Sequence, residues 1–259
     1  MIPKARADLF HRFLETGRTS PAIFSCQISA LRADYVVKLR GGMERPNGSL
    51  CELYASMLAK YFDVLVPDPA IILIENDLAE AVAAAVNHSR HADIIRKSVG
   101  LNFGSLFTTN ISSWPVDEHV PAVMQEDAAR IFAFDALIQN PDRHFANPNL
   151  GICGDQLIVF DHELAFSFLS AIFPASEPWN IAAEDYLGNH VFARSLRGTR
   201  CPQDLLERLR NLSDAQIQEF AEQIPESWDT DGLSTIEAHL RLMREHAEEF
   251  AEEVTKRLA

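Results

Sequence analysis

Strand-like and helix-like segments are segregated along this chain, and this segregation constrains the fold more than any other feature. Residues 20–75 contain three short β-branched or aromatic runs that predict strands, at 22–24, 34–40 and 70–74. A helix is predicted between the last two runs, because apolar residues recur every three or four positions from Leu50 to Tyr61. The pattern after residue 125 is mainly helical. The sequence therefore predicts an α+β fold with a small strand-rich part followed by a larger helical part.

The helical part begins with a strongly apolar helix from about residue 125, which we expect to end near Asn140-Pro141. A hairpin should follow, because residues 149–152 and 156–160 flank a turn that contains Gly154. Ser213 and Gln216 fit a capping box for one of the later helices. Those later helices are predicted near residues 203–211, 214–223 and 232–258.

Charge and length exclude several function classes. The 259 residues have a formal net charge of −14, which repels phosphate backbones and argues against general nucleic-acid binding. No stretch approaches the roughly 18 apolar residues that would span a bilayer, so no membrane association is expected. The four cysteines form no Cys-x-x-Cys pair and predict neither a zinc site nor a redox dithiol. The length suits one globular unit of two lobes or two small domains, and a cytoplasmic protein is the simplest interpretation.

The chemistry-bearing residues follow the apolar helix. Asp142 and Asn147 lie five residues apart on the predicted loop, and Asp161 comes after the second strand of the predicted hairpin. Phosphoryl transfer uses a carboxylate that takes or orients a hydroxyl proton, together with hard oxygen ligands for Mg²⁺. The order Asp-x₄-Asn followed by Asp is that of the catalytic and metal loops of protein kinases. We therefore predict that Asp142 is catalytic and that Asn147 and Asp161 are metal ligands.

A complementary cation is found in the strand-rich part. Lys38 ends the run Tyr35-Val36-Val37-Lys38, which is similar to the kinase strand whose lysine holds the α- and β-phosphates of ATP. Glu52, near the start of the following helix, is its natural ion-pair partner, and Glu44 is the competing choice.

Two further segments are candidates for nucleotide contacts. The segment that contains Gly17, Thr19 and Ser20 precedes the first strand and is a candidate phosphate-covering loop, although it lacks the Gly-x-Gly-x-x-Gly pattern. The run Phe103–Phe107 fits the apolar wall of an adenine pocket. It fits a core strand with a bulge at Gly104 equally well.

Several segments, taken together and in order, resemble the kinase domain of the HipA-like kinase family. They are ETGRTSP, YVVKLRGG, CELYASMLAKYFDVLVPDPAIILI, NFGSLF, FDALIQNPDRHFANPNL and IVFDHELAF. The Asp-Arg-His-x-x-Asn core is also similar to that of phosphatidylinositol 3- and 4-kinases. Asp161 is followed by His162-Glu163 rather than Phe-Gly, which excludes an ordinary eukaryotic protein kinase.

The resemblance implies a bilobal protein-kinase-like fold, with an N-lobe at residues 1–110 and a helical C-lobe at 111–259. It implies ATP and Mg²⁺ as cofactors and transfer of the γ-phosphoryl group to a Ser or Thr hydroxyl of an unidentified protein substrate. Because family members include toxins of toxin–antitoxin systems, it also implies an antitoxin-like partner.

Two other functions stay open from the sequence. One is a kinase-like binding module that holds nucleotide or a partner without useful turnover, and the other is a small-molecule phosphotransferase. His144 and His162 are interpreted as structural support for the acidic loops. His88 and His91 lack a third ligand nearby in the sequence, so no zinc site is predicted there.

Overall fold

The computed structural model describes residues 1–14, 19–115, 119–172 and 175–259. Their contacts divide the chain into two compact units. We call the first the barrel unit, which comprises Met1–Leu53, Pro67–Thr109 and Gln223–Thr230. We call the second the helical unit, which comprises Tyr54–Val66, Asn110–Glu222 and Asp231–Ala259. The predicted lobe boundary at residues 110/111 stays a prediction.

The barrel unit is built on five strands that close into a barrel. The strands are β1 (Lys4–Phe13), β2 (Ala22–Ile28), β3 (Leu31–Lys38), β4 (Pro69–Ile74) and β5 (Gly100–Leu106). Their order around the barrel is β1-β2-β3-β5-β4, and only β1 and β4 pair in parallel. Closure pairs the edges that an open sheet would expose.

The three strands predicted from β-branched runs are confirmed as β2, β3 and β4. Strand β1 was not predicted, because its inward positions include the small residues Ala5 and Ala7, which lack the β-branched signal of a strand. Both alanines are buried in the barrel core together with larger residues of β2 to β4, such as Phe24, Val37 and Ile72.

Residues Phe103–Phe107 fall largely on β5, as the core-strand interpretation proposed, but Gly104 forms no bulge. The register is unbroken, with Gly104 opposite Val37 on β3 and Ala70 on β4. Glycine is required there for space, because a Cβ atom would lie 2.5 Å from Cγ1 of Ile72.

The rest of the barrel unit packs around these strands. Helices α2 (Asn76–Ala85) and α3 (Ser89–Lys97) form the connection from β4 to β5. The short segment Gln223–Thr230 belongs to the same unit, since the indole Nε1 of Trp228 donates to the carbonyl of Leu101 at 2.9 Å.

Helix α1 (Gly48–Tyr61) confirms the helix predicted over residues 50–61, and the boundary between the units falls within it, after Leu53. The helical unit contains a three-stranded sheet in the order β6-β7-β8. Its strands are β6 (Ser112–Ser113), β7 (Leu150–Cys153) and β8 (Gln156–Val159), and the last two form the predicted hairpin. Its helices are α4 (Gln125–Leu137), α5 (Gln203–Asn211), α6 (Asp214–Glu222), α7 (Leu233–Glu245) and α8 (Ala247–Leu258).

The capping box that was predicted at the start of α6 is confirmed. The N–H of Ser213 donates to Oε1 of Gln216 at 2.9 Å, and the N–H of Gln216 donates to Oγ of Ser213 at 3.2 Å. The single helix predicted over 232–258 is wrong, because the chain breaks at His246 into α7 and α8. His246 leaves the helical region, with φ −112° and ψ 34°, and its ring stacks on Trp179 at 3.6 Å.

No helix of the described ranges is both long enough and apolar enough to cross a bilayer.

Candidate active site

The loop that carries Asp142 is shaped by the end of α4. Gln139 adopts a left-handed backbone, with φ 46°, and the following Asn140-Pro141 prevents the helix from continuing. Oδ1 of Asn140 accepts the N–H of Asp142 at 3.2 Å, and Nδ2 of Asn140 donates to Asp135 at 2.8 Å. Asn140 therefore ties the first residue of the loop to the buried face of the helix.

The Asp142 carboxylate is held by two side-chain amides. Its Oδ2 accepts hydrogen bonds from Nδ2 of Asn147 at 3.0 Å and from Nδ2 of Asn149 at 2.9 Å. Its Oδ1 lies 3.9 Å from Nε2 of His144. Since each asparagine donates through its nitrogen, each keeps an amide oxygen as a ligand or acceptor. The structure thus brings together Asp142 and Asn147, which the sequence placed on one loop.

The charge of the Asp161 carboxylate acts on Asp142. Burial raises the pKa of Asp142, and the neighbouring Asp161 carboxylate raises it further, whereas the hydrogen bonds from Asn147 and Asn149 lower it. A cation near both carboxylates would relieve the part of this shift that comes from Asp161. The net upward shift makes Asp142 a better proton acceptor than an ordinary aspartate.

The backbone of Asp161 adopts a conformation that non-glycine residues seldom occupy. It follows β8 and has φ 61°, in the left-handed region, and such residues are frequent at functional sites. The preceding residue is fixed on both sides, because the N–H of Phe160 donates to the carbonyl of Asn149 at 3.1 Å and the carbonyl of Phe160 accepts from Arg143 at 3.3 Å.

Arg143 is fully buried and links the two acidic segments. Its Nη1 donates to the carbonyls of Asn149 and Phe160, at 2.6 and 3.3 Å, and its Nη2 lies 3.0 Å from Nε2 of His162. Arg143 directly follows Asp142, and Phe160 directly precedes Asp161. One guanidinium therefore fixes the positions of both carboxylate-bearing segments, and His162 supports it as the sequence interpretation proposed.

The charge of Arg143 is balanced by Asp135 on α4. Nε of Arg143 lies 2.6 Å from Oδ2 of Asp135, and both side chains are fully buried. Nε2 of His190 lies 3.0 Å from the same oxygen. Because the N–H of Phe192 donates to Nδ1 of His190 at 3.1 Å, the neutral ring carries its hydrogen on Nε2 and donates it to Asp135. Burial alone would raise the pKa of Asp135, but Arg143 and His190 hold it well below its usual range.

The predicted cation lies in the barrel unit. Lys38 is the last residue of β3, and its Nζ forms an ion pair with Oε1 of Glu52 on α1 at 2.5 Å. Both side chains are largely buried, with 10% and 2% of their surface exposed. The sequence left Glu52 and Glu44 as candidate partners of Lys38, and the structure pairs Lys38 with Glu52.

Thr19 and Ser20 lie at the start of the second described range and are both buried. Ser20 has φ 52°, and the carbonyl of Thr19 packs so closely on Gly42 that a Cβ atom there would lie 2.4 Å from it. Gly17, the third residue predicted for the phosphate-covering loop, lies outside the described residues. The roles of these residues in nucleotide binding stay predictions.

Sequence reasoning missed Asp135, Asn149 and His190. Asp135 carried a signal, because it is a lone carboxylate between Phe134 and Ala136 in an otherwise apolar stretch of α4. His190 carried none, since it contacts Asp135 across 55 residues of chain.

The described residues hold no group of three or more His, Cys, Asp or Glu side chains arranged to bind a metal ion. His91 stacks on Phe13 at 4.0 Å, so it has a packing role.

Comparisons with known proteins show the family of the chain and a likeness of fold. A family model described as HipA-like kinase matches residues 9–255. No curated protein matches the chain. Among solved structures, the crystal structure of a Helicobacter pylori proinflammatory kinase, CtkA, is similar, with a TM-score of 0.53 at 12% identity. That match covers 100% of this chain and 99% of the other, and at this identity it shows a likeness of fold alone.

Proposed function

Because the chain belongs to the HipA-like kinase family, we propose that it is an ATP- and Mg²⁺-dependent kinase that phosphorylates a Ser or Thr hydroxyl of a protein. The observation that carries the proposal is the Asp142 carboxylate, which is held by two amides and whose pKa is raised by burial and by the charge of a second carboxylate, Asp161. Phosphorylation of a hydroxyl needs a carboxylate that takes or orients the hydroxyl proton, together with oxygen ligands for Mg²⁺.

In the proposed reaction Asp142 orients the acceptor hydroxyl and takes its proton. The acceptor oxygen forms a bond to the γ-phosphorus while the bond from that phosphorus to the β–γ bridging oxygen breaks, and ADP leaves. The upward pKa shift of Asp142 favours this proton transfer. The hydrogen bonds from Asn147 and Asn149 keep one carboxylate oxygen fixed during it.

Asn147 and Asp161 fit a magnesium site. Mg²⁺ is commonly bound by one or two protein oxygen ligands, with the remaining positions taken by water and substrate phosphates. The mutual repulsion of Asp142 and Asp161 is what a bound cation would relieve. When bound, Mg²⁺ supplies positive charge that stabilises the phosphate oxygens.

Lys38 is proposed to hold the phosphates of ATP, with Glu52 positioning its ammonium. The ion pair supports this role, because a buried glutamate fixes the position of the ammonium. We expect Lys38→Met to weaken ATP binding, and Lys4→Met, at an exposed position of the same barrel, to leave it unchanged.

The strand-rich and helical units are proposed to be the two lobes of a bilobal kinase-like fold. The likeness to a solved kinase over the whole chain supports this assignment.

The test is incubation of the purified protein with γ-labelled ATP and Mg²⁺, alone and with a host lysate. The matched variants are Asp142→Asn and Asp155→Asn, since Asp155 is an exposed carboxylate in the hairpin turn between the two acidic segments. We expect phosphoserine or phosphothreonine with the wild type and with Asp155→Asn, but not with Asp142→Asn. Label on a small molecule would instead identify a small-molecule phosphotransferase, and nucleotide binding without transfer would identify a binding module.

A further inference from the structure

Three exposed arginines lie in a short segment after His190: Arg194, Arg197 and Arg200. Backbone contacts join the start of this segment to the loop that carries Asp142. The N–H of Val191 donates to the carbonyl of Arg143 at 3.2 Å, and His190 forms an isolated β-bridge with His144. The first of the three arginines is therefore only a few residues from a backbone contact with the proposed catalytic loop.

Arg194 also contacts that loop through its side chain. Its guanidinium carbon lies 5.1 Å from the ring centroid of Phe145, which stands between Asp142 and Asn147. A guanidinium that lies over an aromatic face keeps its in-plane N–H groups for other partners. The contact thus fixes a cation on the loop without using its hydrogen-bond donors.

Arg194, Arg197 and Arg200 differ in charge environment from the described arginines that form ion pairs. Nine arginines form ion pairs with Asp or Glu, both at the surface and in the core. Within the part of the chain that the structure describes, no carboxylate lies at ion-pair distance from Arg194, Arg197 or Arg200. The net charge of −14 means that carboxylates are in excess, so the lack of a partner is notable.

Arg200 is set apart from the other two. It lines a cleft of about 630 Å³ together with Glu126, Asp204 and Glu207, so its surroundings are acidic. Arg194, by contrast, faces the aromatic side chain of the catalytic loop, and Arg197 follows it by three residues. Arg200 therefore serves as a control rather than as part of the candidate site.

We propose that Arg194 binds an acidic side chain of the acceptor polypeptide, so that the preferred Ser or Thr lies in an acidic segment. This inference rests on the proposed kinase function and adds the class of acceptor. Arginine suits the role because its planar fork matches a carboxylate. The net charge of −14 would repel an acidic segment. Recognition of such a segment therefore requires a local cation.

The first arm of the test is steady-state phosphorylation of two peptides. One has Ser flanked by Glu on both sides, and the other has Gln in place of each Glu. We expect the wild type to favour the Glu peptide in kcat/KM. Arg194→Ala should raise KM for the Glu peptide by up to about fivefold, the upper limit for an exposed ion pair, with kcat little changed. Arg200→Ala should leave both peptides unaffected, and Arg194→Lys should fall between.

The second arm measures binding without turnover. Fluorescence anisotropy with the labelled Glu peptide should show tighter binding than with the Gln peptide, and the difference should shrink at high salt and in Arg194→Ala. Equal binding of the two peptides, or an equal loss in Arg200→Ala, would overturn the proposal. If the wild type transfers phosphate to neither peptide nor to any protein, the kinase function fails, while the anisotropy arm still decides the role of Arg194.

Discussion

Replacement of Asp135 by asparagine should destabilise the protein far more than the loss of an exposed carboxylate. Asp135 pairs with Arg143 at 2.6 Å, and neither side chain has measurable exposure. The substitution leaves the guanidinium buried without its counter-ion and weakens the hydrogen bond from His190. Loss of one partner from a buried ion pair costs about 3–5 kcal/mol.

The expected change in melting temperature follows from the size of the chain. The entropy of unfolding is roughly 2.1 cal/mol/K per residue, which for 259 residues gives about 0.54 kcal/mol/K. A cost of about 3–5 kcal/mol then lowers Tm by about 6–9 °C. The matched control is Asp214→Asn, because Asp214 is 66% exposed and pairs with Arg241 and Arg244 at the surface. It should lower Tm by at most about 2 °C, because an exposed ion pair contributes little to stability.

The assay is thermal unfolding followed by circular dichroism at neutral pH, with both variants and the wild type measured in one buffer. Asp135→Asn should also lower turnover, because Arg143 would no longer be held against the carbonyl that precedes Asp161. A Tm within about 2 °C of that of Asp214→Asn would refute the argument that the buried pair organises the site.

Three other outcomes follow from single contacts. The apparent pKa of the acid limb of the kcat/KM profile should lie above that of an ordinary aspartate, because burial and Asp161 raise the pKa of Asp142. In a carboxyl NMR titration, Asp161→Asn should lower the pKa of Asp142, and an unchanged value would contradict the coupling. Gly104→Ala should cost about 1–3 kcal/mol, seen as a lower midpoint in urea, because its Cβ would meet Ile72; an unchanged midpoint would show that the barrel yields there. Tyr186→Phe should be neutral or stabilising by about 1 kcal/mol in the same assay, since its buried hydroxyl has no hydrogen-bond partner among the described residues, and a clear loss would contradict this.

The parts of the fold that were predicted are those whose signal is local. Strands β2 to β4 carry β-branched runs, and α1 carries an apolar face, so both could be identified from neighbouring residues. Strand β1 could not, because Ala5 and Ala7 gain their burial only from barrel closure. The break at His246 likewise accompanies a stacking contact with Trp179, which is distant in sequence.

The same distinction applies to the candidate site. The Asp142–Asn147 contact spans five residues and follows from the loop motif, and the Lys38–Glu52 pair follows from strand and helix spacing. The contacts that hold these groups in place are long-range. Arg143 contacts His162 across 19 residues, and His190 reaches Asp135 across 55, which no local pattern encodes. The sequence thus predicted candidate reacting groups, whereas their support required the structure.

The most direct test of the central claim separates nucleotide binding from turnover in Asp142→Asn. ATP affinity is measured by calorimetry with Mg²⁺, and turnover by ADP release in the presence of an acceptor. We expect the affinity for ATP to stay within about threefold of the wild type, while turnover falls by a factor of about 10²–10⁴, the contribution of a general base. Turnover at the wild-type rate in Asp142→Asn would contradict the assignment of Asp142 as the group that takes the proton of the acceptor.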